Sequence, residues 1–236
     1  ENALPQIHIS GCPSSCGTHQ IGGSVIEIST ASTRIVLDFG NELSLDEKYT
    51  SINLDINGVT KGIPDCDGIV ISHYHMDHLG QLTSALPEIP LYMGELSKEI
   101  AIISAEYQDK DLYLRLLGAN TFHGGEAFTI GNIHIRPLVI DHSAADSYMF
   151  VIEAEGKRVL YTGDFRMHGL RHHILEKLVN TYIGEVDVLI TEGTSLSRDA
   201  EECISEAAVL EDISSYIQDG KYVFVMCSST NIDRIM

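Results

Sequence analysis

The chain has 236 residues, of which 44% are hydrophobic, a share typical of a globular protein with a sizeable core. No run of about 18 apolar residues occurs, so the sequence predicts no membrane-spanning helix. Acidic residues outnumber basic ones by 34 to 15, for a formal net charge of -19 at pH 7. This balance disfavours diffuse binding to polyanions and counts against a nucleic-acid substrate, although bound divalent cations would reverse the local field.

The cysteine pattern favours a reducing compartment. The odd number of cysteines, without an N-terminal basic segment followed by an apolar stretch, indicates reduced thiols and predicts a cytoplasmic protein. The first residue is not Met, which leaves a processed end open. Cys12 and Cys16 are close enough for a metal clip, but no second pair follows at zinc-finger spacing, which favours two ordinary loop cysteines. The five cysteines are Cys12, Cys16, Cys66, Cys203 and Cys227.

Short apolar strands and turns fill the first half of the chain, followed by helices. Strands are predicted at residues 24–29, 34–38, 68–72 and 91–93, and helices at residues 79–86, 97–107 and 111–117. Ser97 is the predicted N-cap of the second helix. Residues 41–67 are polar and rich in turn formers, which predicts a long loop beside a site.

The second half begins with strands and then alternates helices with strands. Strands are predicted at residues 128–130, 133–138, 148–153, 158–161, 186–191 and 221–226, and helices at residues 170–179 and 201–218. This order is typical of a layered α/β architecture. The chain stops within what reads as the start of another helix, which predicts that it is a fragment of a longer protein.

The segment HYHMDH, residues 73–78, holds three imidazoles and one carboxylate. Side chains alternate along an extended segment, so His73 and His75 point the same way and can reach one cation. Asp77 and His78 follow a bend and can face a second cation. These ligand types suit zinc, manganese or iron, and the carboxyl end of a strand is where α/β folds place their sites. A surface histidine cluster without metal is the alternative, which the strand-to-helix setting disfavours.

Two further strand ends supply the ligands that such a centre lacks. His142 follows one predicted strand, and Asp164 follows another, directly after Gly163, which permits a close backbone approach. Taken alone, each would read as a turn residue. Together with the upstream motif, both are predicted metal ligands, and an aspartate between two ions can bridge them.

These motifs resemble those of the metallo-β-lactamase superfamily. HYHMDH is similar to its H-x-H-x-D-H signature, Asp38 to its early structural aspartate, His142 to its third-motif histidine and Asp164 to its bridging aspartate. The resemblance spans about residues 7–192 and implies an αββα sandwich with the metals at one edge of the sheets. The expected fold class is therefore α/β, with residues 1–195 as this domain.

The phrases DHSAADSY, YTGDFRMHG and ITEGTSL are similar to the β-CASP branch of that superfamily, RNA-processing nucleases that include ribonuclease J. In that branch a second α/β domain is inserted into the first, and residues 196–236 resemble its beginning. The last metal-binding histidine and the later histidine motifs of the branch would lie beyond this chain. The fragment is therefore expected to bind the second ion weakly and to be inactive alone.

The resemblance implies two divalent ions, by preference zinc, that activate a water for hydrolysis. His73, His75 and His142 would hold one ion and Asp77 and His78 the other, with Asp164 bridging. Asp77 is also a candidate for orienting the nucleophile, and Asp38 is expected to order the loop under the metals. Glu192 occupies the place of an acidic residue of the branch. Its expected role is a hydrogen bond to a ligand histidine such as His78, and a capping or surface glutamate is an equal alternative.

A basic patch follows Asp164 in the sequence. Arg166 and Arg171 are candidates for binding substrate phosphates, although a solvated helix face is the alternative that the composition favours. The patch comprises Arg166, His168, Arg171, His172 and His173.

Three functions remain open at this point. The first is a metal-dependent phosphodiesterase acting on RNA. The β-CASP-like sequence motifs support this function, and the acidic net charge counts against it. The second is a hydrolase of a small ester, thioester or lactam that uses the same centre. The third is a scaffold without catalysis, which the complete set of early ligands disfavours. The sequence leaves the oligomeric state open.

Overall fold

The computed structural model of the protein describes residues 6–11, 22–43, 49–50, 54–194, 204–217, 222 and 224–235. Cys12, Cys16 and Cys203, and with them the question of a metal clip, lie outside these residues. The described strands are, in chain order, β1 (His8–Gly11), β2 (Ile26–Ser29), β3 (Arg34–Leu37), β4 (Glu42–Leu43), β5 (Tyr49–Thr50), β6 (Gly68–Ile71), β7 (Leu91–Gly94), β8 (Asn120–Phe122), β9 (Phe128–Ile130), β10 (Ile133–Ile140), β11 (Ser147–Ala154), β12 (Lys157–Tyr161) and β13 (Val188–Ile190).

Within the described residues, two large sheets and one small pair are present. The first sheet has the order β1-β2-β3-β6-β7-β8, the second the order β13-β12-β11-β10-β9, and β4 pairs with β5. Strands β3, β6, β7 and β8 run parallel, so their carboxyl ends meet at one edge of the first sheet. All four residues of β6 are buried, as expected of a parallel strand covered on both faces.

Helices cover the outer faces of both sheets. The described helices are α1 (Met76–Leu79), α2 (Glu95–Gln108), α3 (Lys110–Leu117), α4 (Ile174–Leu178), α5 (Glu206–Ile217) and α6 (Ile232–Ile235). A 3-10 turn follows α1 at Leu82–Ser84, and α4 continues into a π turn at Val179–Ile183. None of the helices in the described ranges is long and apolar enough to cross a membrane.

Three apolar clusters connect these layers. Leu37 of the first sheet and Phe150 of the second belong to the cluster between the two sheets. A second cluster packs the other face of the first sheet against α2 and α3, where Leu116 is fully buried. The third packs Met149 of the second sheet against Leu178 of α4. The order helix, sheet, sheet, helix confirms the predicted αββα sandwich.

The predicted helix at residues 79–86 is wrong, because the chain turns after α1. The main chain after β3 takes the hydrogen bonds that would extend the helix: Phe39 donates to His78 O at 2.6 Å, and Gln81 donates to Phe39 O at 2.9 Å. Gly80 lies against Asn41 so closely that a Cβ there would be 2.2 Å from its side-chain nitrogen. Tertiary contacts with the neighbouring loop therefore end the helix one turn after it begins.

Two other expectations about the elements differ from the structure. Ser97 lies inside α2, which begins at Glu95, and its N–H donates to the side chain of Asp146 at 3.0 Å. A carboxylate from a distant loop thus caps this helix instead of Ser97 itself. Of the predicted strand at residues 221–226, the described residues 222 and 224–226 form no strand. The assignment of residues 196–236 to a second domain stays a prediction.

Candidate metal centre

The segment that follows β6 carries four candidate ligands and is fixed by the residues before β2 and by the loop that follows β3. Ser24 donates its N–H to Asp77 O at 3.1 Å, and Phe39 donates to His78 O. Gly40 packs against the same turn, and a Cβ there would lie 1.6 Å from the Asp77 carbonyl oxygen. Glycine is therefore required for this approach, which sets where α1 and its two polar side chains begin.

Three imidazoles from two loops converge on one point. His73 Nε2 and His142 Nε2 each lie 3.1 Å from His75 Nδ1. Nitrogens about 2.0–2.1 Å from a tetrahedral zinc ion lie about 3.3 Å from each other, so the observed spacing matches a shared cation. The single Nδ1 of His75 cannot donate one proton to both partners, which leaves the cluster incompletely satisfied by hydrogen bonds alone. These residues could hold a metal ion.

A second group lies beside the first. His78 Nε2 is 3.2 Å from Asp164 Oδ1 and 3.7 Å from Asp77 Oδ2. The other Asp164 oxygen, Oδ2, is 3.9 Å from His142 Nε2. His73, His78 and Asp164 lie close enough together to hold an ion, and Asp77 lies beside them at 3.7 Å from His78. His73 also belongs to the first set, where its Nε2 is 3.1 Å from His75 Nδ1. The two oxygens of Asp164 therefore face the two different groups.

The candidate ligands follow three strands, β6, β10 and β12, whose carboxyl ends lie close together in the structure. Asp164 follows β12 and His142 follows β10, two strands of the second sheet, whereas residues 73–78 follow β6 of the first. Tyr148 joins the sheets at this edge by donating its N–H to Ser72 O at 3.1 Å. Gly163 has φ 54 and would place a Cβ 3.0 Å from Tyr148 O, so a side chain there would be strained.

Burial controls the charge of the imidazoles. It lowers the pKa of His73 well below its usual value and that of His142 to about 3, and the neighbouring imidazoles add to both effects. Both rings stay neutral at pH 7 and keep a lone pair for a cation. Burial also lowers the pKa of His78, but the carboxylates of Asp38 and Asp164 outweigh it, and the net shift is upward. A cation at His78 Nε2 would displace that proton.

Asp38 is the anchor beneath the site. It is fully buried at φ 56, in the left-handed region, and its carboxylate accepts four hydrogen bonds. Oδ1 accepts Ser72 N–H at 2.7 Å. Oδ2 accepts the Ser72 hydroxyl at 2.8 Å, His78 Nδ1 at 2.7 Å and the Tyr161 hydroxyl at 2.5 Å. This carboxylate fixes the tautomer of His78 and leaves Nε2 to face the centre.

The expected hydrogen bond between Glu192 and His78 is replaced by another contact. Nδ1 of His78 is taken by Asp38, and Glu192 instead accepts the N–H of Phe165 at 2.9 Å. Phe165 directly follows Asp164, so the glutamate supports the turn that carries a candidate ligand. The physical reason is topological: Glu192 follows β13, which pairs with β12, and both strands end side by side.

Arg166 lies in an ion pair instead of at an open mouth of the site. Its side chain is 8% exposed and donates to Asp141 at 2.9 Å and to Glu206 at 3.2 Å, so it is not presented to a substrate phosphate. Arg171 is half-buried and donates its backbone N–H to Asp141 at 2.7 Å. The histidines at 172 and 173 are exposed, as in the solvated alternative.

The family follows from a comparison with known proteins. The family described as the beta-lactamase superfamily domain matches residues 33–214, which include every candidate ligand above. The chain belongs to the metallo-β-lactamase superfamily. Metal-dependent hydrolysis is the activity that this assignment supports, and the cluster of imidazoles and carboxylates is where a metal ion would bind.

The curated relatives include ribonucleases whose sequence identity to this chain is low. An RNase J-like protein of Methanocaldococcus jannaschii is 26% identical over 224 residues, which cover 89% of this chain and 49% of that protein. Ribonuclease J of Helicobacter pylori is 24% identical over 244 residues, covering 93% of this chain and 33% of the relative. Integrator complex subunit 11 of Gallus gallus is 26% identical over 249 residues, covering 94% and 40%. The chain thus spans half or less of the length of these relatives.

A solved structure shares the fold. A protein of unknown function from Enterococcus faecalis superposes with a TM-score of 0.71 at 21% identity, covering 91% of this chain and 57% of that one. At this identity the likeness concerns the fold alone.

Proposed function

We propose that the protein is a dinuclear-metal phosphodiesterase that cleaves RNA, in the β-CASP branch of its superfamily. The observation that supports this most directly is the Asp164 carboxylate, whose two oxygens face two separate groups of ligands, His78 at 3.2 Å and His142 at 3.9 Å. The substrate class comes from the relatives, which include ribonuclease J and an RNase J-like protein.

The ligands divide between two divalent ions. His73, His75 and His142 would hold one ion, and Asp77 and His78 would hold the other, with Asp164 as a ligand to both. Imidazole and carboxylate ligands suit zinc, with manganese or iron as alternatives. When bound, the ions supply a water of lowered pKa and neutralise charge on the substrate phosphate.

The residues of the chain prepare this chemistry. Asp38 holds His78 in the tautomer that directs Nε2 at the centre, and Glu192 fixes the turn after Asp164. The half-buried carboxylate of Asp77 lies 3.7 Å from His78 Nε2. It can orient a water molecule at the centre by accepting a hydrogen bond from that water. His73 and His78 are fully buried, whereas His75 and His142 are half-buried, so a substrate approaches from the side of the latter pair.

Net charge sets a condition on this proposal. A chain with a formal charge of -19 repels a polyanion, so binding depends on the ions themselves and is weak without them. We therefore expect RNA affinity to fall when a chelator removes the metal. Arg171 remains a candidate for a phosphate contact, whereas the buried pairing of Arg166 speaks against a direct role.

The test is cleavage of a labelled single-stranded RNA with zinc or manganese, by the full-length protein that contains these residues and by its Asp164→Asn variant. We expect a metal-dependent product from the wild type and at least about 100-fold less from the variant, as for loss of an electrostatic element of a catalytic site. Asp187→Asn, which alters an exposed carboxylate 2.8 Å from Lys157, is the control. Turnover of a generic small ester without RNA cleavage would support the small-molecule alternative instead.

A further inference from the structure

Four charged side chains form a continuous series of ion pairs beside the candidate metal centre. Arg166 donates from Nε to Asp141 at 2.9 Å and from Nη1 to Glu206 at 3.2 Å. Arg234 donates to both oxygens of Glu206, at 2.9 and 2.7 Å. Asp141 and Glu206 are 1% and 6% exposed and the Arg166 side chain 8%, so water screens the pairs of Arg166 little, whereas the 44% exposed Arg234 is reached by solvent.

The inner pair joins the two loops that carry candidate ligands. Asp141 directly precedes His142, and Arg166 lies two residues after Asp164. The backbone repeats the connection, because the Arg166 N–H donates to Asp141 O at 2.9 Å. Gly169 closes over the pair, and a Cβ there would lie 2.3 Å from both Asp141 carboxylate oxygens. The separation of His142 and Asp164 therefore depends on this contact.

Glu206 connects the same pair to the C-terminal segment. Besides accepting from Arg166 and Arg234, its backbone N–H donates to His168 O at 2.9 Å, in the loop after Asp164. The planar guanidinium of Arg166 thus donates from Nε to Asp141 and from Nη1 to Glu206, two carboxylates on different segments of the chain. A lysine has one ammonium and cannot reproduce this geometry.

We propose that Arg166 is a positioning residue that holds the His142 and Asp164 loops at the spacing required for cation binding, with Glu206 orienting it. This inference rests on the proposed function, since it takes both residues as metal ligands. Loss of the guanidinium removes the ion pair of the buried Asp141 carboxylate while the Arg171 N–H still donates to it at 2.7 Å, and we expect the carboxylate to reorient together with the neighbouring His142.

Cobalt(II) titration of the full chain tests the inference, because the visible absorption of bound cobalt reports its coordination geometry. We expect Arg166→Gln to weaken cobalt affinity by about 10–100-fold, the usual effect of an outer-shell partner, and to change the spectrum. Arg166→Lys should be intermediate, and Glu206→Gln should shift both readouts in the same direction. Arg158→Gln, which breaks a 2.9 Å ion pair with Glu153, is the matched control and should leave both unchanged.

The outcomes separate this inference from the proposed function. A wild-type protein that binds no cobalt overturns the metal centre and the inference together. Wild-type cobalt binding with unchanged affinity and spectrum in Arg166→Gln and Glu206→Gln overturns the inference alone, even if thermal stability falls. If Arg166→Gln does not fold, Glu206→Gln decides, because it leaves the Arg166–Asp141 pair in place and removes the charge that orients Arg166, together with one acceptor of Arg234.

Discussion

The Asp38 carboxylate lies 2.7 Å from Nδ1 of His78, while Nε2, the other nitrogen of the same ring, faces Asp164. A histidine held between a buried carboxylate and a prospective cation has its tautomer and ring orientation fixed before any ion arrives. The same Asp38 oxygen accepts hydroxyl groups from Ser72 and Tyr161. The Asp38 side chain therefore connects Ser72, after β6 of the first sheet, and Tyr161, in β12 of the second, to the candidate ligand His78.

Asp38→Asn should lower both metal affinity and stability. Three donors converge on Oδ2, so an amide nitrogen at that position would meet donors only, and at the other position it would meet the Ser72 N–H. We expect about 10–100-fold weaker zinc binding and a loss of about 3 kcal/mol in the free energy of unfolding. Competition with a chromophoric chelator and urea denaturation measure the two effects.

Asn tolerates the left-handed backbone at position 38, so strain does not confound this result. Tyr161→Phe removes one of the four donors and should give a smaller loss of both quantities. Unchanged zinc affinity in Asp38→Asn would contradict the role assigned to this carboxylate.

His75→Ala should remove one of two metal ions. Its Nδ1 is the nitrogen that both His73 and His142 approach at 3.1 Å, and it has no place in the second group. We expect the zinc content, measured by mass spectrometry after dialysis, to fall by about one ion per chain. His134→Ala on β10, an exposed residue bonded to Thr129, is the control and should retain the wild-type content. Equal zinc content in both variants would show that His75 is not a metal ligand.

The local and regular signals of the sequence predicted a layered α/β architecture, and the resemblance of its motifs to the metallo-β-lactamase superfamily implied the αββα sandwich. Buried runs such as β6 and turn glycines mark the strands, and HYHMDH marks the loop that follows one of them. β10 and β12 both pair antiparallel with β11, so their carboxyl ends lie at the same edge of the second sheet. His142 and Asp164 became candidates because each follows a predicted strand and matches a motif. The family match and the packing of the layers confirm the predicted fold.

The contacts around the ligands could not be predicted, since they join residues far apart in the chain. Nothing in the sequence indicates that Tyr161 donates to Asp38, 123 positions away, or that Arg166 is buried between two carboxylates. A guanidinium in a polar segment reads as a solvated or substrate-binding group, and only the packing of α5 shows otherwise. The expected contact of Glu192 with His78 came from the family resemblance, and the sequence does not indicate that Glu192 accepts the Phe165 N–H instead.

Gly40→Ala should disrupt the metal centre without touching a ligand side chain. The added Cβ would meet the Asp77 carbonyl oxygen at 1.6 Å and its carbon at 2.0 Å, so α1 must move. We expect a loss of about 1–3 kcal/mol in the free energy of unfolding, as for overpacking, together with reduced zinc content.

Gly118→Ala is the matched control for this experiment. Gly118 ends α3 with φ -80, and an added Cβ would have its nearest neighbour at 3.7 Å. Its stability and zinc content should remain close to those of the wild type. Normal zinc content in Gly40→Ala would mean that the approach of the two loops does not determine ligand placement.

Stability should fall at alkaline pH because of one buried thiol. Burial raises the pKa of Cys66 from 9.0 to about 11, and its Sγ donates to Gly68 O at 3.4 Å. A folded-state pKa above the unfolded value contributes stability that is complete below about pH 9 and is lost as the pH rises through 11. The thiolate forms readily only in the unfolded chain, so ionisation favours unfolding by about 2–3 kcal/mol at the upper limit.

Urea denaturation from pH 8 to pH 11 measures this loss in the wild type, in Cys66→Ala and in Cys227→Ala, whose thiol is exposed. Cys66→Ala starts from a lower stability, because it leaves a small cavity, but its free energy of unfolding should decline less steeply with pH. Tyrosine and lysine ionisation is common to all three proteins and cancels in the comparison. Parallel pH profiles of the wild type and Cys66→Ala would show that the thiol at position 66 ionises equally in the folded and unfolded chains.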